Sequence, residues 1–394
     1  MPNWSRREVL GASLSVGASA GLIAAPLRAA ELVSEAGADS LESLAHAKGF
    51  HFGTSLSSRG LADPRYLELV RSQCGVLVPE NALKMPAIQP KPAEFHFERA
   101  EELLAFAESN KMLTRGHCLL WHHPRWLPKW LDGYDFGPEP AKAAEALLTG
   151  HINTTCTHFG KRIVSWDVVN EAVDNVTGEM RETALSKAMG SADQVLQTAF
   201  HAARTALPGT ELVYNDYMGW EPGSAAHRDA VLRLLERFRK TGVPVNTLGI
   251  QAHLGSGNQD NNAGRVFDAR DERAWRKFLD DVTGMGYSLS ITEFDVHDAT
   301  LPGDFDLRDK QVAALGRAFL DLTLSFKQVN VVMCWGLVDS HSWLQGRTPR
   351  KDGMPKRPTP YDNHYLSKPL RGAIGAAFRA APIRKPATIA GLLV

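Results

Sequence analysis

Runs of apolar residues recur along the chain, spaced so that one helix fits between each run and the next. They are "FHFGTS" at 50–55, "GVLVPE" at 75–80, "MLTRGHCLLW" at 112–121, "RIVSWDVVNE" at 162–171, "ELVYND" at 211–216, "TLGIQAHL" at 247–254, "SLSITEFDV" at 288–296 and "VNVVMCWGLVD" at 329–339. The runs are apolar throughout instead of alternating with polar positions, which is how strands read when both sheet faces are covered. Between them lie stretches of helical period, such as "RAEELLAFAESN" and "DAVLRLLERFRKTG", the second closed by Gly242 as a stop signal. Eight strand–helix units without a break in composition predict one α/β domain, a (β/α)8 TIM barrel. A doubly wound sheet is the alternative, but the first strand runs into "FGTSLSSRG", which is no dinucleotide fingerprint.

Polar residues gather at one end of this pattern. The runs finish on Glu80 and Asn81, His117 and Trp121, Asn170 and Glu171, Asn215 and Asp216, Gln251 and His253, Glu293 and Asp295, and Trp335 and Asp339. One such ending is what any core strand does when it meets water. Seven of eight, with these residue types, describe a polar mouth lined by Trp and His at the carboxyl ends of the strands, where barrels build their active sites.

Two chemistries compete for that mouth. His117, His122, His253, Asp295 and His297 are metal-ligand types, but no His-x-His or His-Glu-x-x-His spacing is present, so no metal is expected. The other reading is a carboxylate pair, Glu171 at the end of the fourth strand and Glu293 at the end of the seventh. Glycoside hydrolysis needs a protonated acid for the leaving oxygen and, when configuration is retained, a carboxylate nucleophile about 5–5.5 Å away. Their surroundings must push the two pKa values apart. Strand alternation also turns Asp167 inward on the side of Glu171, with no partner evident from the sequence.

Composition narrows the partner. Lys plus Arg equal Asp plus Glu at 44 each, so no net field gathers nucleic acid or anionic lipid. A neutral polymer fits that balance, and nine tryptophans suit the flat faces of sugars. At the N-terminus, "SRREVL" precedes the mildly apolar "GASLSVGASAGLIAA", too short and too small-residue-rich for a lasting membrane anchor. The pattern predicts a twin-arginine export signal over 1–30, a linker over 31–43, the catalytic barrel over 44–380 and a tail over 381–394, hence a periplasmic or secreted protein that leaves the membrane once its signal is removed. Cys74, Cys118, Cys156 and Cys334 are scattered without metal-like pairing and read as buried free thiols.

The stretches "VPENALK", "RGHCLLWHH", "WDVVNEA", "YNDY", "GIQAHL", "ITEFDV", "CWGLVDSHSWL" and "YDNHYLSKP", in this order across residues 44 to 378, resemble a glycoside hydrolase family 10 endo-1,4-β-xylanase. The resemblance implies a cofactor-free, monomeric enzyme that cleaves internal bonds of xylan or xylo-oligosaccharides by retaining double displacement. It makes Glu171 the acid/base, Glu293 the nucleophile and Asn170 the partner of the sugar 2-hydroxyl. His253 would bridge Glu293 and Asp295. Glu80, Asn81, Lys84, His117, Trp121 and Gln251 would hold sugars on the non-reducing side, and Tyr217 would stack on the leaving-group side. Trp335 and Trp343 would wall the −1 site against a hydroxymethyl group. The chain departs from the family's usual Glu-Met-Lys-Trp at Ala82-Leu83-Lys84-Met85, and from Leu-Leu-Phe-Asp at Thr359-Pro360-Tyr361-Asp362. A related retaining glycosidase acting on β-glucan is the second reading. A non-catalytic carbohydrate-binding protein on the same barrel is the third, and such a protein would be expected to lack one of the two carboxylates.

Overall fold

Eight strands close into a ring in the computed structural model, which describes residues 39–255, 270–347 and 349–385. They are β1 (His51–Leu56), β2 (Val76–Pro79), β3 (Leu113–Trp121), β4 (Ser165–Asn170), β5 (Glu211–Asp216), β6 (Thr247–Ile250), β7 (Ser288–Val296) and β8 (Val329–Cys334). Neighbours pair in parallel from β1 through β6, β6 pairs with β7, and β8 returns to β1 with His51 beside Val331 and Thr54 beside Cys334. The sixth apolar run is interrupted. After Ile250 the chain breaks at Gln251–Ala252, with Ala252 at φ 61°, and resumes pairing as His253–Leu254 beside Asp295–Val296. The predicted export signal, all but the last residues of the predicted linker, and residues beyond 385 lie outside the described residues. Among the described residues no helix is long and apolar enough to cross a membrane.

The helices that cover the ring are α1 (Pro64–Gln73), α2 (Glu98–Ser109), α3 (Pro140–Phe159), α4 (Ala192–Ala206), α5 (Ala225–Thr241), α6 (Glu272–Gly284), α7 (Phe305–Leu324) and α8 (Pro369–Ala380). Their ends follow local chemistry. The Asp63 carboxylate accepts from the Arg65 and Tyr66 amides to start α1, with Pro64 in its first turn, and Gly242 at φ 74° ends α5. On α6 the buried set is Trp275, Phe278, Leu279 and Val282, a single stripe at helical spacing. Each such side chain contributes about 1.5–3 kcal/mol by leaving water, which is what seats the helix on the strands. Gly116 on β3 is required by close approach, because a Cβ there would stand 2.1 Å from the Trp166 ring of β4.

The interior of the ring is less apolar than its outside. Between strands and helices runs one continuous hydrophobic cluster, whereas a small separate cluster of Val76, Val78, Val331, Met333 and Trp335 lies inside the barrel. Around the latter sit buried charges. The Arg115 guanidinium donates to Asp167 Oδ1 at 2.5 Å, and the Nδ1–H of His117 lies 2.9 Å from Asp167 Oδ2, so the carboxylate that the alternation turns inward is doubly held. All four cysteines are buried and free. The packed body extends beyond α8: buried Arg384 donates to the backbone oxygens of Val329 at 2.7 Å and Leu324 at 3.0 Å, capping the barrel floor.

Candidate active site

β4 delivers its two polar residues by a change of backbone hand. Asn170 is the last strand residue, and Glu171 takes φ 55°, a left-handed conformation that costs a side-chain-bearing residue about 1–3 kcal/mol. The turn is held by the Glu171 amide, which donates to the Asn215 carbonyl at 2.9 Å. It leaves the carboxylate nearly buried, with Oε1 accepting from Gln251 Nε2 at 2.8 Å and Oε2 from Trp121 Nε1 at 2.9 Å.

Glu293 arrives from β7, three residues before its end. Its Oε1 accepts from Asn215 Nδ2 at 2.8 Å, and its Oε2 lies 3.2 Å from His253 Nε2. The other ring nitrogen of His253 stands 2.8 Å from Asp295 Oδ1, and Asp295 Oδ2 accepts from Trp343 Nε1 at 2.8 Å. The break in β6 thus has a consequence: it places Gln251 on Glu171 and His253, two residues on, against Glu293.

Three amides in series, Asn215, Asn170 and Gln251, link the two carboxylates. Asn215 Nδ2 donates both to Glu293 and, at 2.9 Å, to Asn170 Oδ1, which also accepts from Gln251 Nε2 at 3.2 Å. The reverse orientation of the Asn170 amide would gain the Trp121 indole at 3.2 Å, but it would set two amide nitrogens 2.9 Å apart. It is disfavoured, because a carboxylate only accepts, so Glu293 fixes Asn215 Nδ2 as the donor, while Thr292 Oγ1 donates to Asn215 Oδ1 at 2.7 Å.

The same surroundings bias the two acids in opposite directions. Burial pushes Glu171 up, and the charges of Asp216 and Glu293 add to it against the hydrogen bonds from Gln251 and Trp121. Burial would also raise Glu293, but the His253 hydrogen bond and the positive charges of His117, His253 and Lys84 outweigh it and hold the carboxyl at about 2. His253 is correspondingly cationic. Burial opposes its charge, but Asp295 and Glu293 raise it to about 10, so both ring nitrogens donate.

These groups line one cleft of about 540 Å³, within the size range of ligand sites. Of the residues nominated from sequence, Glu80, Asn81, Lys84, His117, Trp121, Asn170, Glu171, Tyr217, Gln251, His253, Glu293, Trp335 and Trp343 all reach it, and Asp295 stands behind His253. At one end Lys84 Nζ donates to Asn81 Oδ1 at 2.8 Å, and Asn81 Nδ2 to Glu80 Oε1 at 3.0 Å. The Tyr217 hydroxyl is pinned, accepting from Arg181 at 2.7 Å and donating to Asn175 at 2.9 Å. Trp335 meets the His117 ring edge-on with centroids 5.2 Å apart. His122, weighed as a ligand, is turned away, its Nε2–H donating to the Arg181 carbonyl at 3.0 Å.

Glycosyl hydrolase family 10 matches the chain over residues 40–377. The chain belongs to this family. It is 30% identical over 298 residues to endo-1,4-β-xylanase B of Thermotoga neapolitana, covering 76% of this chain and 80% of that one. It is 29% identical over 360 residues to endo-1,4-β-xylanase 5 of Pyricularia oryzae, covering 90% and 82%. Among solved structures, xylanase 10B of Thermotoga maritima superposes with a TM-score of 0.75 at 30% identity, covering 86% of this chain and 98% of that one. The corresponding enzyme of Thermotoga petrophila, solved with xylobiose, gives the same score and identity, covering 86% and 97%.

Some groups of this family 10 cleft escape a reading of strand ends. Asn215 is visible at the end of β5, but nothing in its spacing says that it joins Glu293 to Asn170. Arg115 was within reach, since it lies two residues before His117 on the same strand face. Trp126, which stacks on Trp121 with centroids 5.0 Å apart, and the Asn175–Arg181 support of Tyr217 come from loops, where no period points to them.

Proposed function

We propose that the chain is a retaining endo-1,4-β-xylanase in which Glu171 is the acid/base and Glu293 the nucleophile. The observation that carries this reading is the opposite bias of two buried carboxylates joined by the Asn215–Asn170–Gln251 amides. Glu293 kept ionised attacks the anomeric carbon, while Glu171 kept protonated gives its proton to the departing glycosidic oxygen. A glycosyl ester on Glu293 results. Glu171, now a carboxylate, takes a proton from water as that water attacks the same carbon from the opposite face, and the configuration is restored. Asn170 holds the 2-hydroxyl, a contact that strengthens as charge develops on the ring. Glu80, Asn81, Lys84, His117, Trp121 and Gln251 hold the sugars on the non-reducing side, and Tyr217 meets the first sugar on the other.

Xylose is the preferred unit because Trp335 and Trp343 wall the cleft beside Glu293 and His253, where a hydroxymethyl group would have to lie. The name of the Thermotoga neapolitana relative and the xylobiose in the Thermotoga petrophila structure support the same substrate. The Arg6–Arg7 pair and the apolar run after it support export, which brings a single-barrel, monomeric enzyme to a polymer outside the cytoplasm. Comparing hydrolysis of xylan with that of carboxymethyl-cellulose tests the substrate. Xylan is expected to be cut far faster, and a preference for the glucan would overturn the assignment.

A further inference from the structure

The main cleft does not end at Glu80 and Asn81. It shares Asn81, Ala87 and Arg99 with a side pocket of about 260 Å³ that adds Ser57, Ser58 and Arg59. Arg59 comes from the short helix Ser58–Leu61 after β1, and Arg99 from the first turn of α2. No hydrogen bond or ion pair engages either guanidinium among the described residues, and no described carboxylate lines this pocket. Several other surface arginines are paired: Arg162 holds Glu101 and Glu108, Arg317 holds Asp321, and Arg379 holds Asp39.

We propose that this side pocket receives the carboxylate of an acidic sugar branch, so that the substrate of the cleft is a xylan bearing uronic acid side groups. The inference rests on the xylanase reading above, and it adds the chemical class of the branch and the residues that take it. A neutral xylose backbone offers hydroxyls, for which the amides and indoles of the main cleft suffice. Two arginines without a hydrogen-bonded or ion-paired partner among the described residues, lining a space of one-sugar size with serines beside them, match a planar carboxylate carried on a hydroxyl-rich ring. The site lies beyond Glu80 and Asn81, so the branched unit is carried on the non-reducing side of the cut.

The test compares kcat/KM on glucuronoxylan, on the same polymer with its carboxyl groups reduced to alcohols, and on neutral xylohexaose. Wild type is expected to favour the untreated polymer about tenfold over its reduced form, as two exposed charge-assisted contacts allow. Arg59→Ala, which lies outside the main cleft, is expected to lose about threefold on glucuronoxylan and nothing on xylohexaose. The double variant Arg59→Ala/Arg99→Ala is expected to abolish the preference between the two polymers, and Arg59→Lys/Arg99→Lys to keep part of it. Equal wild-type rates on both polymers, or a preference that survives the double alanine variant, would overturn the proposal while leaving the xylanase reading intact. Failure of wild type to cut xylohexaose would overturn that reading, and this proposal with it.

Discussion

Asn215 Nδ2 stands 2.8 Å from Glu293 Oε1, a contact between strands that are not neighbours in the ring, and the same nitrogen reaches Asn170 at 2.9 Å. One side chain therefore orients both the proposed nucleophile, Glu293, and Asn170, the residue proposed to grip the 2-hydroxyl. Replacing it by Ala removes a hydrogen bond to a charged group, worth about 1.5–3 kcal/mol, so kcat/KM on an aryl xylobioside is expected to fall roughly 10- to 150-fold. Asn215→Asp is expected to be worse, because a second carboxylate beside Glu293 raises its pKa and moves the acidic limb of the pH profile upward. Steady-state rates across pH check both statements.

The pH profile of wild type follows from the two acids. The proposed mechanism needs Glu293 ionised and Glu171 protonated, so the rate is expected to be lost on the acid side as Glu293 takes up a proton and on the basic side as Glu171 loses one. Glu293 is held at about 2 largely through His253, so His253→Gln is expected to raise the acidic limb toward ordinary carboxylate values. Stability carries a second signature. His253, raised to about 10, contributes stability that is fully present below about 6.5 and is lost as pH rises through about 10. Thermal midpoints measured across that window should fall in wild type and fall less in His253→Gln.

The family resemblance gives Trp121 a part in holding the sugars on the non-reducing side, and in the structure its indole also donates to Glu171 at 2.9 Å. Trp121→Phe keeps an aromatic face and deletes the donor. That donor favours the ionised acid, so its loss raises the pKa of Glu171 further and shifts the basic limb to higher pH. A shift in the opposite direction, or none, would show that the indole does not tune the acid.

Arg115 and Asp167 form a buried pair at 2.5 Å, each with almost no exposure. Removing one partner strands a charge inside the barrel, so Arg115→Met is expected to cost about 3–5 kcal/mol in denaturant unfolding. Adding Asp167→Leu should recover part of that loss, because the uncompensated charge is then gone. Activity is not expected to recover with it, since His117 loses its anchor and Glu293 loses the fixed ring beside it.

Much of this was legible in the chain. Doubly covered strands leave apolar runs, and seven of the eight runs contain or nearly coincide with one uninterrupted strand; the run at 162–171 starts early because "RIV" precedes the first pairing residue, Ser165. The sixth run reads as one strand but breaks at Ala252, since apolarity reports burial and not backbone hand. The carboxylates were visible because barrel chemistry sits at strand ends. What stayed hidden depended on side-chain geometry across the ring: the shared amide of Asn215 and the Trp121–Glu171 bond link residues 45 to 78 positions apart in sequence. The floor formed by Arg384 was hidden for another reason, because its partners are backbone oxygens, which carry no sequence signal.

The assignment of roles to Glu171 and Glu293 is tested most directly by the product that azide gives with Glu171→Ala and an aryl xylobioside. Removing the acid/base spares the first displacement when the leaving group is an activated phenolate, and it opens space for a small anion to attack the glycosyl ester on Glu293. The expected product is the β-linked xylobiosyl azide, formed by two displacements. An α-linked azide from this variant would mean a single displacement, with Glu171 the nucleophile, and would contradict the account.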